Sequence, residues 1–231
     1  MMVIYLHTEQ DFPDPSRDDV DELLGVGGDL GPERLISAYS KGIFPWYSED
    51  TPVLWWSPDP RLIIDPSSFH VPGRLNRILK QGHFEYTINN DFPAVIRACA
   101  SVDRPGCQGT WIIPDMIEAY TRLHYLGYAH SVEAWTKGRL AGGLYGIAIG
   151  KAFFGESMFY YVSNASKAAL VKFLNFLNSC GFELMDCQQT TRHMLRFGAF
   201  EVSRKEFIRR LHRAISATGR NEPVWSPGSI E

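Results

Sequence analysis

The sequence predicts an α+β fold: a small N-terminal lobe, residues 1–61, and a larger domain, residues 62–231, whose largely antiparallel sheet is flanked by helices. Three observations predict it. Between Ala129 and Tyr161 three long strand-like runs follow one another, joined only by the turns Lys137-Gly138 and Gly150-Lys151, which makes a meander. Helix-period segments with clear start and stop residues stand on both sides of that meander. Charge also divides the chain: residues 1–60 carry twelve acids against three bases, a net of −9, whereas residues 61–189 net +2 and residues 190–231 net +4.

Taken in order, the first lobe is punctuated by Pro13, Pro15, Gly25, Gly27, Gly28 and Gly31 and reads as turns. Pro32 opens a helix over Glu33–Lys41, because its missing N–H costs nothing in a first turn, and Gly42 closes it. Ile43–Pro60 holds three tryptophans among prolines, follows neither period, and reads as a stiff aromatic loop region. In the second lobe, Leu62–Ile64 and Phe84–Asn89 read as strands. Asn90 or Asp91 caps a helix running to about Ala100, and Pro114 opens another over Asp115–Leu126, stopped by Gly127. The meander strands are Ala129–Thr136, Arg139–Ile149 and Ala152–Tyr161. Asn164 caps a helix over Ala165–Cys180 whose apolar face carries Ala169, Leu170, Phe173, Leu174 and Leu177. Leu184–Gln189 is a short buried strand, and Ser203 with Glu206 forms a capping box for a last helix over Arg204–Ala217. The tail, Gly219–Glu231, reads as loosely ordered. A meander followed by a helix and one more strand is the order of the N-acetyltransferase superfamily, a likeness of fold that sets no chemistry.

Composition narrows the function. The 231 residues sum to a net charge of −3 with 45% hydrophobic residues, which excludes both a disordered chain and a generic polybasic nucleic-acid binder. The four cysteines, Cys99, Cys107, Cys180 and Cys187, show no CxxC spacing and read as reduced thiols of a cytoplasmic protein. No ligand pair stands at finger or helix spacing, so no metal site is expected. Met1–Asp14 lacks the basic and apolar stretches of a signal peptide, and nowhere do eighteen apolar residues run together, so no membrane span is expected.

Several clusters carry candidate chemistry. Gly25–Leu30 fails as a dinucleotide fingerprint, with Leu30 where the last glycine belongs and no flanking strand and helix, and there is no GxxxxGK[ST] phosphate loop. The strand-to-helix turn Tyr161–Lys167 has no glycine to bring backbone N–H groups close to a pyrophosphate, which weighs against a coenzyme A enzyme. Asp186-Cys187-Gln188 is the densest polar cluster in an apolar strand. Residues two apart share a face, so Asp186 and Gln188 project together. The Gln amide is no base near neutrality, but its oxygen can accept an N–H from an amine nucleophile. Glu156 is a carboxylate in the apolar strand Phe153–Tyr161 and needs a partner, either within the protein or from a cationic ligand. Trp46, Trp55, Trp56 and Trp111 suit core packing or base stacking. Arg204, Lys205, Arg209, Arg210 and Arg213 stud the last helix, either as a solvated basic face or as phosphate contacts. His193, near the Asp186 strand, is a candidate general base and ranks below the Asp186 and Gln188 pair as a site residue.

The ordered motifs GGDL (27–30), GIFPWY (42–47), LWWSPDPR (54–61), GTWI (109–112), AYxRLHxLG (119–127), AHSVExW (129–135), GGLYG (142–146), GESMF (155–159), NASKxAL (164–170) and DCQ (186–188) resemble the bacterial leucyl/phenylalanyl-tRNA–protein transferase family. The resemblance runs from about Leu23 to Leu211. It implies an aminoacyltransferase that moves Leu or Phe from aminoacyl-tRNA to the N-terminal Arg or Lys of a protein, marking it for N-end degradation, in the cytoplasm and without metal or organic cofactor. It implies a small N-terminal lobe on an acetyltransferase-like domain. Carried onto this sequence, it implies Asp186 and Gln188 at the chemistry, Glu156 facing the acceptor's cationic side chain, and Trp46 and Trp111, with Tyr39, at the terminal adenosine. It also implies an apolar pocket of Phe153, Met158, Leu170, Phe173 and Leu144 for the donor side chain, with Met tolerated as a donor. The segment Asp103–Gln108 and the pair Tyr160-Tyr161 depart from the family pattern.

Overall fold

The computed structural model describes residues 4–7, 11–17, 19–101, 111–217 and 225–230. Asp103–Gln108, Gly109, Thr110 and the stretch 219–224 of the tail lie outside the described residues. The described strands up to Trp56 form a four-stranded sheet: β1 (Ile4–Leu6), β2 (Leu23–Gly27), β4 (Leu54–Trp56) and β3 (Phe44–Pro45), side by side in that order. These strands are a correction to the expectation of turns and loops. Gly25 sits inside β2 because β1 runs parallel beside it: a Cβ there would meet Leu6 Cδ1 at 2.8 Å. That glycine serves close strand approach rather than a turn. Helix α1 (Pro32–Ser40) begins at its proline, as expected.

Among the described residues the larger sheet has eight strands in the order β11 (Phe200–Val202), β5 (Arg61–Ile64), β10 (Leu184–Gln188), β9 (Ala152–Tyr160), β8 (Arg139–Ile149), β7 (Ala129–Thr136), β6 (Glu85–Ile88), β12 (Gly228–Ser229). All neighbours are antiparallel except β9 and β10, which are parallel because helix α5 (Ala165–Ser179) carries the chain across between them. The turn at Lys137-Gly138 has positive φ at both residues, +50° and +70°, the geometry that matches strand twist in a two-residue hairpin.

Both faces of this sheet are covered. On one face α1, α3 (Phe92–Ser101), α4 (Pro114–Tyr125) and α7 (Arg204–Ser216) share a core with the small sheet, through Tyr39, Trp55, Phe92, Tyr120, Phe154 and Phe207. On the other face α2 (Gly73–Lys80) and α5 pack with Phe153, Phe173, Met185 and Trp225. Period-two alternation divides the strands between these cores: in β5, Ile63 goes to the first, Leu62 and Ile64 to the second. Burial on both faces explains why the central strands read as near-continuous apolar runs.

Three local expectations change, and one choice left open between two caps is decided. Helix α2 and the short elements α6 (Arg192–Leu195) and β11 are additional to those read from the sequence. Asn164 stands at the start of α5 in a left-handed conformation, φ +70°, and its side chain does not cap the helix, whereas Ser203 does accept the Glu206 N–H at the start of α7. Asp91 is the cap of α3, accepting Ala94 N–H at 3.0 Å. The end of the tail is not loose: Trp225 is buried, and β12 pairs with β6.

Candidate functional site

The site opens where two parallel strands part. Pairing between β9 and β10 runs from Ala152 and Leu184 to Phe154 and Asp186 and then stops. Beyond it, Gly155–Met158 of β9 and Cys187 of β10 line a cavity of about 420 Å³. The parting is assisted by irregularities on both strands. The register of β8 against β9 shifts between Tyr145 and Gly146, and that of β10 against β5 shifts between Asp186 and Gln188. Gln188 adopts φ +60°, a left-handed conformation that a non-glycine residue holds only when its surroundings fix it. Asp186 supplies that fixing: its Oδ1 accepts the Gln188 backbone N–H at 2.8 Å.

Asp186 is fully buried and bonded in fork geometry to Arg61, Nε to Oδ1 at 2.8 Å and Nη2 to Oδ2 at 2.6 Å. Arg61 is itself buried, its guanidinium lying between the Phe44 and Phe207 rings at 4.9 and 4.4 Å, and its Nη1 donates to the Gly42 carbonyl. Asp186 therefore acts on Gln188 through the main chain, not by bonding its amide. That amide turns instead to Glu156: Gln188 Nε2 donates to Oε1 at 2.8 Å.

Glu156 gathers the rest of the polar network. Tyr39 Oη lies 2.7 Å from its Oε1 and Tyr120 Oη 3.3 Å from its Oε2, and the two phenol oxygens also pair with each other, so the two phenol protons are shared among three contacts. Burial pushes the Glu156 carboxyl up to about 7, the Asp186 charge adding to the rise and the hydrogen bonds from Tyr39, Tyr120 and Gln188 opposing it. Burial beside this carboxylate also raises both phenols well above their ordinary range, so they remain donors.

The sequence-predicted residues distribute unevenly around this centre. Asp186, Gln188 and Glu156 form one connected cluster, and Leu144, Met158 and Leu170 line the cavity beside it. Phe153 and Phe173 do not line it; they are fully buried, 4.6 Å apart, in the same core as the lining Leu144 and Leu170 but one layer deeper. Tyr39 is corrected in a similar way. At 1% exposure its ring offers no face to a base, and it serves the Glu156 network from beneath. Trp46 is exposed, at 40%, with its ring edge-on to Trp56 at 6.2 Å, and Trp111 is half-buried on the first core. Their neighbours Tyr47 and Ile113 line one surface groove, so the two tryptophan segments adjoin.

Sequence reasoning missed Tyr120, Arg61, Met185 and Met194. The methionines complete the apolar lining but are indistinguishable in sequence from ordinary core residues. Arg61 lies 125 positions from its partner. His193, also on the cavity wall, carries a buried Nε2 without a hydrogen-bond partner among the described residues; burial and the nearby Lys167 and Arg196 lower its affinity for a proton. Cys187 donates to the Met185 carbonyl, and desolvation together with the nearby Asp186 charge pushes its thiol well above the usual range, which disfavours the thiolate. Among the described residues no group of three or more His, Cys, Asp or Glu side chains converges as a metal site, and no helix is long and apolar enough to cross a membrane.

Residues 63–212 match the family model described as leucyl/phenylalanyl-tRNA protein transferase, and residues 28–59 match the model of that family's N-terminal domain. The chain is 55% identical over 215 residues to the leucyl/phenylalanyl-tRNA–protein transferase of Anaeromyxobacter dehalogenans strain 2CP-C, covering 93% of this chain and 92% of that one. It is 54% identical over 219 residues to the protein of the same name from Solidesulfovibrio magneticus, covering 95% and 89%. Among solved structures it is similar to L-PGS from Bacillus licheniformis at a TM-score of 0.41 and 9% identity, covering 73% and 53%, a likeness too low to bear on fold or chemistry. A family model over residues 63–212 and relatives more than half identical over more than nine-tenths of the chain are decisive: the chain belongs to the leucyl/phenylalanyl-tRNA–protein transferase family of aminoacyltransferases.

Proposed function

We propose that this chain transfers Leu or Phe, with Met tolerated, from its aminoacyl-tRNA to the N-terminal Arg or Lys of acceptor proteins, and that the product is marked for N-end degradation in the cytoplasm. The observation that carries the reading is the continuous link from Asp186 through Gln188 to Glu156 at the edge of an apolar cavity. Such a site joins a hydrogen-bond acceptor, a carboxyl group and a side-chain pocket within one substrate length.

In this reading the acceptor α-amine attacks the ester carbonyl, an amide forms, the ester C–O bond breaks, and the amine proton leaves with the ribose hydroxyl. The amine has a reference pKa of about 7.7–8.0, so a useful fraction is already neutral near pH 7 to 8. Because Gln188 Nε2 is committed to Glu156, its oxygen is the end left to accept an N–H of the incoming amine. Asp186 holds Gln188 in place by its backbone, and positioning of this kind supplies much of an acyl transfer between an activated ester and an amine. Glu156, raised toward neutrality while it has no cation, meets the Arg or Lys side chain as a carboxylate. Leu144, Met158 and Leu170 take the donor side chain, with Phe153 and Phe173 behind them. Trp46 and Trp111 hold the terminal adenosine. No step needs a metal or an organic cofactor.

We further propose that residues 1–61 form the smaller lobe and residues 62–231 an N-acetyltransferase-like domain. The meander β7–β9, the crossing helix α5 and the parallel strand β10 whose pairing ends at Asp186 support it. The decisive assay offers labelled Leu-tRNA with a peptide beginning in Arg and a matched peptide beginning in Ala. Transfer to the first alone is expected; no transfer to either from folded protein would end the reading.

A further inference from the structure

We propose that Trp225, near the C-terminus, sets the depth of the donor side-chain pocket and so helps to fix which aminoacyl groups the enzyme accepts. The inference rests on the proposed donor role of the cavity and adds a residue that touches no substrate.

Trp225 is 8% exposed and is surrounded by aromatic rings. It stacks on Phe153 at 6.2 Å and 17°, meets Phe173 edge-on at 5.7 Å, and lies 5.2 Å from Phe176 and 5.3 Å from Phe182. Its backbone is tied down as well. The Trp225 carbonyl accepts Asn89 Nδ2 at 2.6 Å, Gly228–Ser229 pair with β6, and Ile230 N–H donates to the Tyr86 carbonyl at 3.1 Å.

Phe153 and Phe173 connect this anchor to the cavity. Phe153 lies opposite Met185 in the β9–β10 register, and Phe173 follows Leu170 by one turn of α5; Met185 and Leu170 are cavity walls. All belong to one apolar cluster. The wall is thus three layers deep: lining side chains, two phenylalanine rings, and the indole behind them. Truncating Trp225 opens space behind the Phe153 and Phe173 rings; core surroundings relax partly into such space, so the rings retreat in part and the cavity deepens. A lining with methionine in it follows such a shift easily. Size discrimination in an apolar pocket depends on such wall positions.

The test compares kcat/KM for Leu-, Phe- and Trp-charged tRNA donors in wild type, Trp225→Ala, Trp225→Leu and Trp225→Phe. In Trp225→Ala the ratios of Phe and Trp donors to Leu should rise, the Trp donor by roughly ten-fold, mainly through KM, on the scale of one or two methylene groups. Trp225→Leu should shift them less, and Trp225→Phe should restore near-wild-type ratios. Unchanged ratios in the folded variants would overturn the inference and leave Trp225 a packing residue only. Should Trp225→Ala fail to fold, the leucine variant and a measurement on wild type decide. Hydrogen exchange of the C-terminal peptide should slow several-fold when the 3′-amide analogue of phenylalanyl-adenosine is bound; no change at saturation would count against the connection. A wild type that moves no Leu and binds no analogue would instead refute the donor reading of the cavity, and this inference with it.

Discussion

Glu156→Gln tests the polar centre through stability rather than turnover. The carboxyl titrates near 7 in the folded protein against 4.5 as its ordinary value, so folding favours its protonated form. A raised carboxyl contributes its full share of stability below the unfolded value. That share is lost as pH rises through the folded value, between about pH 4.5 and pH 7. A difference of about 2.5 pH units corresponds to about 3 kcal/mol across the window. Gln at 156 keeps the shape and an oxygen for Tyr39 and Gln188 but cannot ionise. Urea unfolding of both proteins from pH 4.5 to 8 should therefore show the variant gaining on wild type by up to about 3 kcal/mol, with the gain levelling off above pH 7. Parallel stability curves for the two proteins would refute the reasoning, because Glu156 would then not titrate in that window. The same variant should weaken use of Arg-terminated acceptors more than donor binding, read as separate KM values.

Two further outcomes are expected. Arg61→Met leaves the buried Asp186 charge without its partner and should cost about 3–5 kcal/mol in urea unfolding, much of it recovered when Asp186→Leu is added; a cost under about 1 kcal/mol would mean the pair is dispensable. Trp46→Ala changes an exposed ring, so stability should move by less than about 0.5 kcal/mol while the donor KM rises roughly ten-fold, as loss of one base stack implies; an unchanged KM would remove Trp46 from the adenosine site.

The meander β7–β9 of the large sheet was legible because its strands are long and its turns are chemically marked, as at Lys137-Gly138 and Gly150-Lys151. The small sheet was not. Its strands are two to five residues long, and they are built around Gly25 and Pro45, residues that argue for turns when their neighbours are unknown. The tail strand was hidden for another reason: the order of Trp225 comes from rings supplied by β9 and α5, far away in sequence. At the site, Asp186, Gln188 and Glu156 stood out because polar residues in apolar strands need partners. Alternation put Asp186 and Gln188 together but could not show that Asp186 grips a backbone N–H and an arginine instead of an amide. Phe153 and Phe173 were placed one layer too close to the cavity, since periodicity assigns a face and not a depth.

The conformation of Gln188 sets the site against the protein's own stability. A side chain in the left-handed region costs about 1–2 kcal/mol, a cost the Asp186 hydrogen bond offsets. Glycine at this position would relax the backbone and remove the amide together. In the proposed mechanism that amide takes the incoming amine, so the exchange would trade the proposed chemistry for backbone ease. Laboratory evolution of a hardier enzyme from this chain therefore has to score transfer at every round if it is to keep Gln188 in place.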